Sequence, residues 1–185
     1  IIHDEKIGSA QVKTSIIFAA LNTPGTTKIR EIKKSRNHTE NMLINAKANI
    51  KVKKYKKFNL IKINGQKEFK SFNYKIPGDS SSAAFFVILT LLSKNSKLKI
   101  RNIILNPYRI GFVKILKKMG ANIKIINIKK YSKEKVGDFI VKSSKLSGIN
   151  CPKNLVTSAI DEFPILILAA AKAKGITTFT NLEEL

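Results

Sequence analysis

The sequence predicts a mixed α/β fold built from a repeated unit with the order helix, strand, helix, strand, strand. Capped helices and short alternating strands follow one another in this order along the chain. The residues at 48–52 recur almost letter for letter at 121–125, and the Ile29-Arg30 pair corresponds to Ile100-Arg101. With 43% apolar residues among 185, the chain can bury a substantial core. Each unit is a small α/β subdomain that needs neighbours to cover its faces.

The first unit opens with a helix and a strand. Ser9 is a favourable N-cap residue, the apolar residues 16–21 follow it, and the Asn-Thr-Pro-Gly sequence at 22–25 would end the helix. Residues 27–32 then alternate in the pattern of a half-buried strand.

The second helix and two further strands complete the unit. Asn37 and Glu40 have the spacing of a capping box, and the buried stripe of the second helix is expected at Met42, Leu43 and Ala46. A strand begins at Ile50. Residues 58–63 form the next strand and lead into an Asn-Gly pair at 64–65, a strong hairpin signal, with two phenylalanines on the returning arm at 69 and 72.

A Pro-Gly pair at 77–78 restarts the same order, so we place a domain boundary there and assign residues 1–75 and 76–185 to different domains. The second unit has a capped helix through residue 92, a strand at 98–104 and a helix after the Asn-Pro pair at 106–107. A third copy would open with Asp161 as the cap of a helix at 163–173 and a strand at 176–179. The helices at 83–92 and 163–171 are apolar on nearly all sides, which predicts burial of most of their surface.

The charge and the cysteine content limit the possible functions. A net charge of +23 would suit a nucleic-acid surface, but only four of the 35 basic residues are arginines and the lysines are spread along the whole chain. We therefore expect no nucleic-acid partner, although a positive field would attract a small anionic substrate. The single Cys151 excludes an internal disulfide bond, and no apolar run reaches the length of a membrane span. The start of the chain does not read as a secretion signal, and we expect a cytoplasmic protein without a membrane partner.

Two helix starts and one arginine could bind an anion. Ser9 and Gln11 lie at the first helix start and residues 79–82 at another, where unpaired N–H groups suit a phosphate, although capping alone would explain these residues. Arg36 lies at a strand-to-helix junction and could bind a phosphate with two hydrogen bonds. His38 has no Cys or His partner at metal-binding spacing, so no metal is expected.

One acidic pair could supply a general base. Asp161 and Glu162 are the only acidic pair beside an apolar core helix, and a carboxylate there could accept a proton from a substrate. Capping of the helix would explain the pair equally well. A helix start favours the charged carboxylate, which makes it a weaker base unless burial opposes that effect.

Seven motifs occur in order along nearly the whole chain. They are the segments 9–13 (Ser-Ala-Gln-Val-Lys), 21–25 (Leu-Asn-Thr-Pro-Gly), 35–43 (Ser-Arg-Asn-His-Thr-Glu-Asn-Met-Leu), 77–85 (Pro-Gly-Asp-Ser-Ser-Ser-Ala-Ala-Phe), 106–111 (Asn-Pro-Tyr-Arg-Ile-Gly), 119–121 (Met-Gly-Ala) and 160–164 (Ile-Asp-Glu-Phe-Pro). Together they resemble the 5-enolpyruvylshikimate-3-phosphate synthase family, as an internal fragment of such an enzyme. The Ser-Ala-Gln form is similar to the branch of the family with reduced sensitivity to glyphosate.

The resemblance implies the two-lobed enolpyruvyl transferase architecture, in which each lobe contains three βαβαββ units with helices buried between sheets. Residues 1–75 would belong to one lobe and residues 76–185 to the second, with the active site between the lobes. The enzyme would transfer the enolpyruvyl group of phosphoenolpyruvate to the 5-hydroxyl group of shikimate 3-phosphate and release phosphate, in the biosynthesis of chorismate and aromatic amino acids. It would need no cofactor or metal and would be a monomer at full length.

The resemblance also implies roles for individual residues. Shikimate 3-phosphate would be bound by Ser9, Ala10, Gln11, Ser35, Arg36 and Asp161. Gln11 would also reach phosphoenolpyruvate, and Asp161, on the attacking hydroxyl group, would be the catalytic residue. Gly8 departs from the usual family pattern and would loosen the phosphate-binding turn.

The chain lacks two parts that the resemblance implies are needed for activity. It ends before the family's Arg-Val-Lys-Glu stretch, which contains an acid/base glutamate, and it does not contain the amino-terminal Lys and Arg that bind both substrates. The isolated chain is therefore expected to be inactive, because positioning and electrostatic stabilisation both need residues that it does not contain.

Two alternatives remain open at the level of the sequence. The sister enolpyruvyl transferase that acts on UDP-N-acetylglucosamine shares the fold and the phosphoenolpyruvate chemistry, but the Ser-Ala-Gln and Ser-Arg motifs favour the shikimate enzyme. A basic nucleic-acid-binding module is motivated by the net charge alone.

Overall fold

The computed structural model describes residues 1–182, which form two compact units divided between Lys75 and Ile76. Each unit contains its own sheet and its own hydrophobic core. The α/β composition agrees with the sequence prediction. The assignment of the units to different lobes, and the repetition of one βαβαββ unit, stay predictions.

The first unit is a four-stranded sheet covered by two helices. The strands lie in the order β1-β2-β4-β3, with β1 parallel to β2 and the other neighbours antiparallel. The elements are β1 (Ile2–Glu5), α1 (Ala10–Asn22), β2 (Thr26–Glu31), α2 (His38–Asn45), β3 (Ile50–Lys54) and β4 (Asn59–Asn64).

The core of the first unit lies between the sheet and α1. Side chains of β2 alternate as predicted, with Thr27, Ile29 and Glu31 buried and their neighbours exposed. Ile17 of α1 packs with Ile29 and with Ile61 of β4, and all three are completely buried. Burial of each such side chain contributes about 1.5–3 kcal/mol, so this contact fixes α1 on the sheet.

The predicted hairpin at Asn64-Gly65 is wrong. The hairpin joins β3 to β4 instead, where Tyr55 N donates to Phe58 O at 2.9 Å, and residues 65–77 form no strand. Gly65 has another use, because a Cβ atom there would lie 1.9 Å from Thr23 O and 2.2 Å from Ala20 O. The glycine lets the chain leaving β4 pass against the end of α1, which is a contact between distant segments that an Asn-Gly pair does not reveal.

The predicted capping box of α2 is also wrong. Asn37 occupies the N-cap position but its side chain makes no capping hydrogen bond. The side chain of Glu40 is buried and pairs with Lys13 of α1. Leu43 and Ala46 are buried as predicted, whereas Met42 is exposed.

The second unit is a three-stranded antiparallel sheet with helices on it, in the strand order β5-β7-β6. A short 3-10 helix at Thr157–Glu162 lies between its last two helices. The predicted strand at 176–179 is wrong, since Thr178 forms only an isolated bridge with Asn150. The other elements are α3 (Ser80–Leu92), β5 (Lys97–Ile104), α4 (Gly111–Lys118), β6 (Asn122–Tyr131), β7 (Glu134–Lys142), α5 (Lys153–Val156) and α6 (Phe163–Lys172).

Two bulges in the second sheet are joined by one carboxylate. The register shifts in β5 near Asn102 and in β6 near Asn127, and both asparagines have positive φ angles, of 54° and 52°. Asp138 of β7 lies between them and accepts hydrogen bonds from Asn102 N at 3.0 Å and from Asn127 Nδ2 at 2.9 Å. Asparagine tolerates this left-handed conformation better than most residues, and the carboxylate accepts from the main-chain N–H of one bulge and the side-chain amide of the other.

The prediction that α3 and α6 are buried on most sides is wrong for α6, in which three of ten residues, including Leu166, are buried. In α3 seven of 13 residues, including Ala84 and Ile88, are buried. The other faces expose large apolar side chains. These are Phe85, Phe86 and Leu89 of α3 and Ile167 and Leu168 of α6.

One helical run, Lys153–Lys172, has the length and the mean hydropathy of a membrane span. It is made of α5, the 3-10 helix and α6, and it contains Asp161 and Glu162 near its centre. Its buried residues Phe163, Leu166 and Ala169 belong to the core of the second unit. A helix that packs on the core of a protein can have the same length and hydropathy, so these two properties alone are weak evidence for a membrane span.

Candidate functional site

The turn before α1 is fixed by a buried carboxylate. Glu5, at the end of β1, accepts hydrogen bonds from Ile7 N at 3.0 Å and from Gly8 N at 2.9 Å, with Ser9 N at 3.4 Å. Gly8 has a φ angle of +86°, which suits glycine and strains other residues. The glycine therefore permits the conformation in which Glu5 accepts these hydrogen bonds, and the expectation that Gly8 loosens the turn stays a prediction.

Three of the predicted site residues of the first unit lie together at the start of α1. Ser9 is the N-cap, and its Oγ accepts from Val12 N at 3.3 Å. Gln11 Oε1 accepts from Ser9 Oγ and from Arg36 Nη2, both at 3.4 Å. Ala10 is the first residue of the helix. A helix start with a hydroxyl group, an amide and a guanidinium group is suited to a phosphate or carboxylate ligand.

Ser35 faces the interior of the unit. The residue is only 5% exposed, and its N and Oγ donate to Glu31 Oε1 at 2.9 Å and 2.8 Å. Its neighbour Arg36 is half-buried. The hydroxyl group of Ser35 therefore supports the β2–α2 loop from inside, while Arg36 extends to Gln11.

Lys13 lies below this group, in a buried cluster that the sequence analysis missed. Its Nζ is 2.7 Å from Glu31 Oε1 and 2.8 Å from Glu40 Oε1, and all three side chains are buried. Glu31 Oε2 also accepts from Asn59 Nδ2 at 2.7 Å. One signal could have found Lys13, since it lies four residues before Ile17 and therefore on the same face of α1.

The two carboxylates of this cluster differ in their surroundings. Burial raises the pKa of Glu31, but the hydrogen bond and charge of Lys13 and the amide of Asn59 outweigh it and hold the pKa below its ordinary value. Burial raises the pKa of Glu40 above its ordinary value, and Lys13 offsets this only in part. Among the described residues, Glu40 Oε2 has no hydrogen-bond partner. Glu31 thus has the better satisfied carboxylate of the two, and it is the one that bonds Ser35.

In the second unit, the predicted catalytic residue lies in the turn before α6. Asp161 is exposed and belongs to the 3-10 helix Thr157–Glu162, so the prediction that it caps the last helix is wrong. Glu162 occupies the N-cap position and makes no capping bond with its side chain. The N-cap is Glu162 and not Asp161 because the 3-10 helix leads directly into α6. An N-cap residue usually has extended backbone, and here the backbone before α6 is helical.

Glu162 is buried in a polar network at the start of α3. Its Oε1 accepts a short hydrogen bond from Ser81 Oγ, and Ser81 Oγ accepts from Arg109 Nη2 at 2.6 Å. Arg109 Nη2 also donates to Asp79 Oδ1 at 2.7 Å. Burial raises the pKa of Glu162 above its ordinary value, while Ser81 and Arg109 oppose the rise. The sequence analysis noted the acidic pair but not these partners, which lie 53 or more residues away from it in the chain.

The fold and these groups define an α/β protein suited to a small anionic ligand, with an exposed carboxylate that could accept a proton. Within residues 1–182, no group of three or more His, Cys, Asp or Glu side chains is arranged to hold a metal ion. Ser9, Gln11 and Arg36 come together in the first unit, whereas Asp161 belongs to the second.

The family follows from comparison with known proteins. The model of the EPSP synthase family (3-phosphoshikimate 1-carboxyvinyltransferase) matches residues 2–185, and the chain belongs to this family. The resemblance drawn from the seven motifs is therefore confirmed. The glyphosate-tolerant branch stays a prediction.

Individual relatives agree with this assignment over the whole chain. A 3-phosphoshikimate 1-carboxyvinyltransferase of Petrotoga mobilis is 44% identical over 100% of the chain and 42% of its own length. One of Zymomonas mobilis is 44% identical over 97% of the chain and 40% of its own length. A solved EPSP synthase from Acinetobacter baumannii has a TM-score of 0.87 and 36% identity, covering 100% of this chain and 41% of that one. The chain thus spans about two fifths of the length of these relatives.

Proposed function

We propose that the protein containing this chain transfers the enolpyruvyl group of phosphoenolpyruvate to the 5-hydroxyl group of shikimate 3-phosphate and releases phosphate. This reaction belongs to the biosynthesis of chorismate and the aromatic amino acids. One observation carries the proposal: the family match extends over residues 2–185, with relatives of that name 44% identical along nearly all of the chain.

The first unit would hold the phosphate group of shikimate 3-phosphate. Ser9, Gln11 and Arg36 lie within hydrogen-bond reach of one another, which supports a shared anionic ligand. The guanidinium group of Arg36 would supply charge-assisted hydrogen bonds, and the positive end of the α1 dipole would favour the negative charge. Ala10 would contact the same ligand through its position at the helix start, and Gln11 would also reach phosphoenolpyruvate. Ser35 would orient the loop that carries Arg36.

Asp161 would accept the proton of the attacking hydroxyl group. The hydroxyl oxygen adds to C2 of phosphoenolpyruvate while the C3 methylene takes up a proton, which gives a tetrahedral intermediate. Loss of phosphate from C2 and of a proton from C3 then restores the double bond. The exposure of Asp161 supports this role, because a base must reach the hydroxyl group in the complex.

The activity would belong to the longer protein and not to this chain alone. The chain spans about two fifths of its relatives, and binding of both substrates would need residues outside it. We further propose that the complete protein is a cytoplasmic monomer whose partners are its small anionic substrates, without a nucleic-acid or membrane partner.

Phosphate release tests the proposal. The complete protein should release phosphate from phosphoenolpyruvate with shikimate 3-phosphate and not with UDP-N-acetylglucosamine, and the isolated chain should release none. Asp161→Asn keeps the shape of the side chain but cannot accept the proton, so kcat should fall by about 10²–10⁴-fold. Asp4→Asn is the matched control, because Asp4 is paired with Arg30 on the strand surface, and it should leave kcat unchanged.

Three outcomes would contradict the proposal. Release with the sugar nucleotide alone would assign the protein to the sister transferase, and release with neither substrate would leave the reaction unsupported. Full activity of Asp161→Asn would remove Asp161 from the mechanism.

A further inference from the structure

Lys13 is a fully buried ammonium group whose three donors meet three oxygen atoms. Its Nζ lies 2.7 Å from Glu31 Oε1, 2.8 Å from Glu40 Oε1 and 2.8 Å from the main-chain oxygen of Arg36. The side chain is 0% exposed. A lysine carries three N–H donors and no acceptor, so this arrangement satisfies it completely.

Stability does not explain this cluster. Removing three charged groups from water costs several kcal/mol for each ion, and apolar side chains of similar volume are often equally stable or more so. The apolar core beside it, around Ile17 and Ile29, already fixes α1 on the sheet. The contacts of the cluster with neighbouring segments therefore explain its presence better than a gain in stability does.

Its contacts lead to the loop between β2 and α2. Lys13 Nζ holds the main-chain oxygen of Arg36, and Glu31 holds both the N and the Oγ of Ser35. Residues 32–34 of the same loop are exposed, so the loop is fixed from inside at Ser35 and Arg36. Asn59 fixes the second oxygen of Glu31 from β4.

Lys13 also belongs to the first turns of α1, which carry Ser9 and Gln11. Lys13 N donates to Ser9 O at 3.1 Å, so the residue that holds Arg36 lies one helical turn from the N-cap. The guanidinium group of Arg36 then meets the amide of Gln11 at 3.4 Å on the outer surface. One buried side chain thus joins the two segments that bear the candidate anion ligands.

We propose that Lys13 is a positioning residue for the phosphate of shikimate 3-phosphate: with Glu31, it sets the distance between Arg36 and the start of α1. The inference rests on the proposed function. Lysine suits this task because its compact ammonium group reaches three separate oxygen atoms, whereas the planar guanidinium group of an arginine would not fit the same arrangement.

The test uses a variant that keeps the buried charge constant. With all three groups ionised, the cluster has one net negative charge, and Lys13→Met combined with Glu40→Gln leaves the same charge on Glu31, which keeps its donors from Ser35 and Asn59. Glu40→Gln alone is the matched control, because it leaves Lys13 bound to Arg36. Both variants are made in the complete protein, and their KM values, kcat and Tm are measured.

We expect the double variant to raise KM for shikimate 3-phosphate by roughly tenfold, as for the loss of one charge-assisted hydrogen bond, with a smaller change in KM for phosphoenolpyruvate. The control should keep both KM values. Calorimetric binding of shikimate 3-phosphate should weaken by the same factor. An unchanged KM for shikimate 3-phosphate in the double variant would overturn the proposal. It would also be overturned if Tm fell in both variants and both KM values and kcat changed equally with it.

Two further results separate the possible failures. If the double variant does not fold, Lys13→Gln with Glu40→Gln keeps a polar group in the cluster and should raise the same KM by a smaller factor, and an unchanged KM there would also overturn the inference. Absence of turnover with shikimate 3-phosphate in the unmodified protein contradicts the proposed function, whereas normal turnover with an unaffected double variant contradicts only the role of Lys13.

Discussion

Asp161 and Glu162 are adjacent acids whose surroundings are opposite. Glu162 is buried and bonded to Ser81, whereas Asp161 is exposed on the 3-10 turn. Environment is what separates the roles of neighbouring carboxylates. From the sequence the two acids form one pair, whereas in the structure Glu162 supports the turn and Asp161 lies at the surface.

Asp138 is a carboxylate whose neighbours make it more acidic. Hydrogen bonds from Asn102 N and the Asn127 amide, with the charge of Lys99 nearby, lower its pKa from 3.8 to about 2. A pKa that is lower in the folded state means that the ionised carboxylate stabilises the fold. This stabilisation is complete above pH 3.8 and is lost as the pH falls towards 2.

We predict that Asp138→Asn flattens the acid side of the profile of stability against pH. In the complete protein without the substitution, the urea midpoint should fall steeply between pH 3.8 and pH 2, and in the variant it should fall less steeply. The variant should also be less stable above pH 3.8, because Asn127 Nδ2 and Lys99 lose a charged acceptor. Parallel profiles for the two proteins would show that Asp138 does not hold the bulges through its charge.

At the scale of single elements, sequence patterns succeeded where the determining contacts are local. The alternation of β2 and the Ser9 cap of α1 depend on neighbours within a few residues, and both are present as predicted. Glu40 failed as a capping residue because Lys13, 27 positions earlier, provides a buried charge for it. Ser35 is bonded inside the unit by Glu31, only four residues earlier, and Glu31 is held in place by Lys13 and Asn59 from other segments. In both cases a contact between distant segments positions the buried carboxylate.

Substitution of Gly65 is predicted to destabilise the contact between the end of α1 and the segment after β4. In Gly65→Ala, the new Cβ would lie within 2.2 Å of Ala20 O and closer still to Thr23 O, so the end of α1 or the start of the next segment must move. We expect a loss of about 1–3 kcal/mol in the free energy of unfolding, as for overpacking of a well-packed site. Urea denaturation of the complete protein measures it.

Gly25→Ala is the control for this prediction. Gly25 has no atom within 4 Å of an added Cβ but has a φ angle of +89°, so the variant suffers only backbone strain of about 1–2 kcal/mol. The crystal structure of Gly65→Ala should then show a displaced backbone at residue 65, whereas that of Gly25→Ala should show an unmoved backbone at residue 25. An unmoved backbone in Gly65→Ala would mean that the close approach is not required.

At the scale of the whole molecule, the exposed faces of α3 and α6 stand out. Phe85 and Phe86 are each 58% exposed and Leu89 is 63% exposed, although these helices are mainly apolar. Contiguous apolar surface on a monomer marks a place where another surface packs. Since the chain spans about two fifths of its relatives, we expect other parts of the complete protein to cover these faces.

We predict that the isolated chain associates with itself and that Phe86→Gln with Leu89→Gln reduces this association. Ile32→Gln is the matched control, because Ile32 is exposed and apolar but belongs to a loop of the first unit. Light scattering of the three chains measures the effect. Equal association of the double variant and the unmodified chain would show that these helix faces do not drive it.

The cluster around Lys13 also affects how segments can be exchanged between related proteins. The three charged residues come from α1, from the end of β2 and from α2, so a graft of residues 31–40 alone would place Glu31 and Glu40 next to whatever stands at position 13 in the recipient. Without a lysine there, the graft would bring two carboxylates into an apolar interior with no cation to meet them. A chimaera built across this part of the chain should therefore transfer α1, β2, the loop and α2 together.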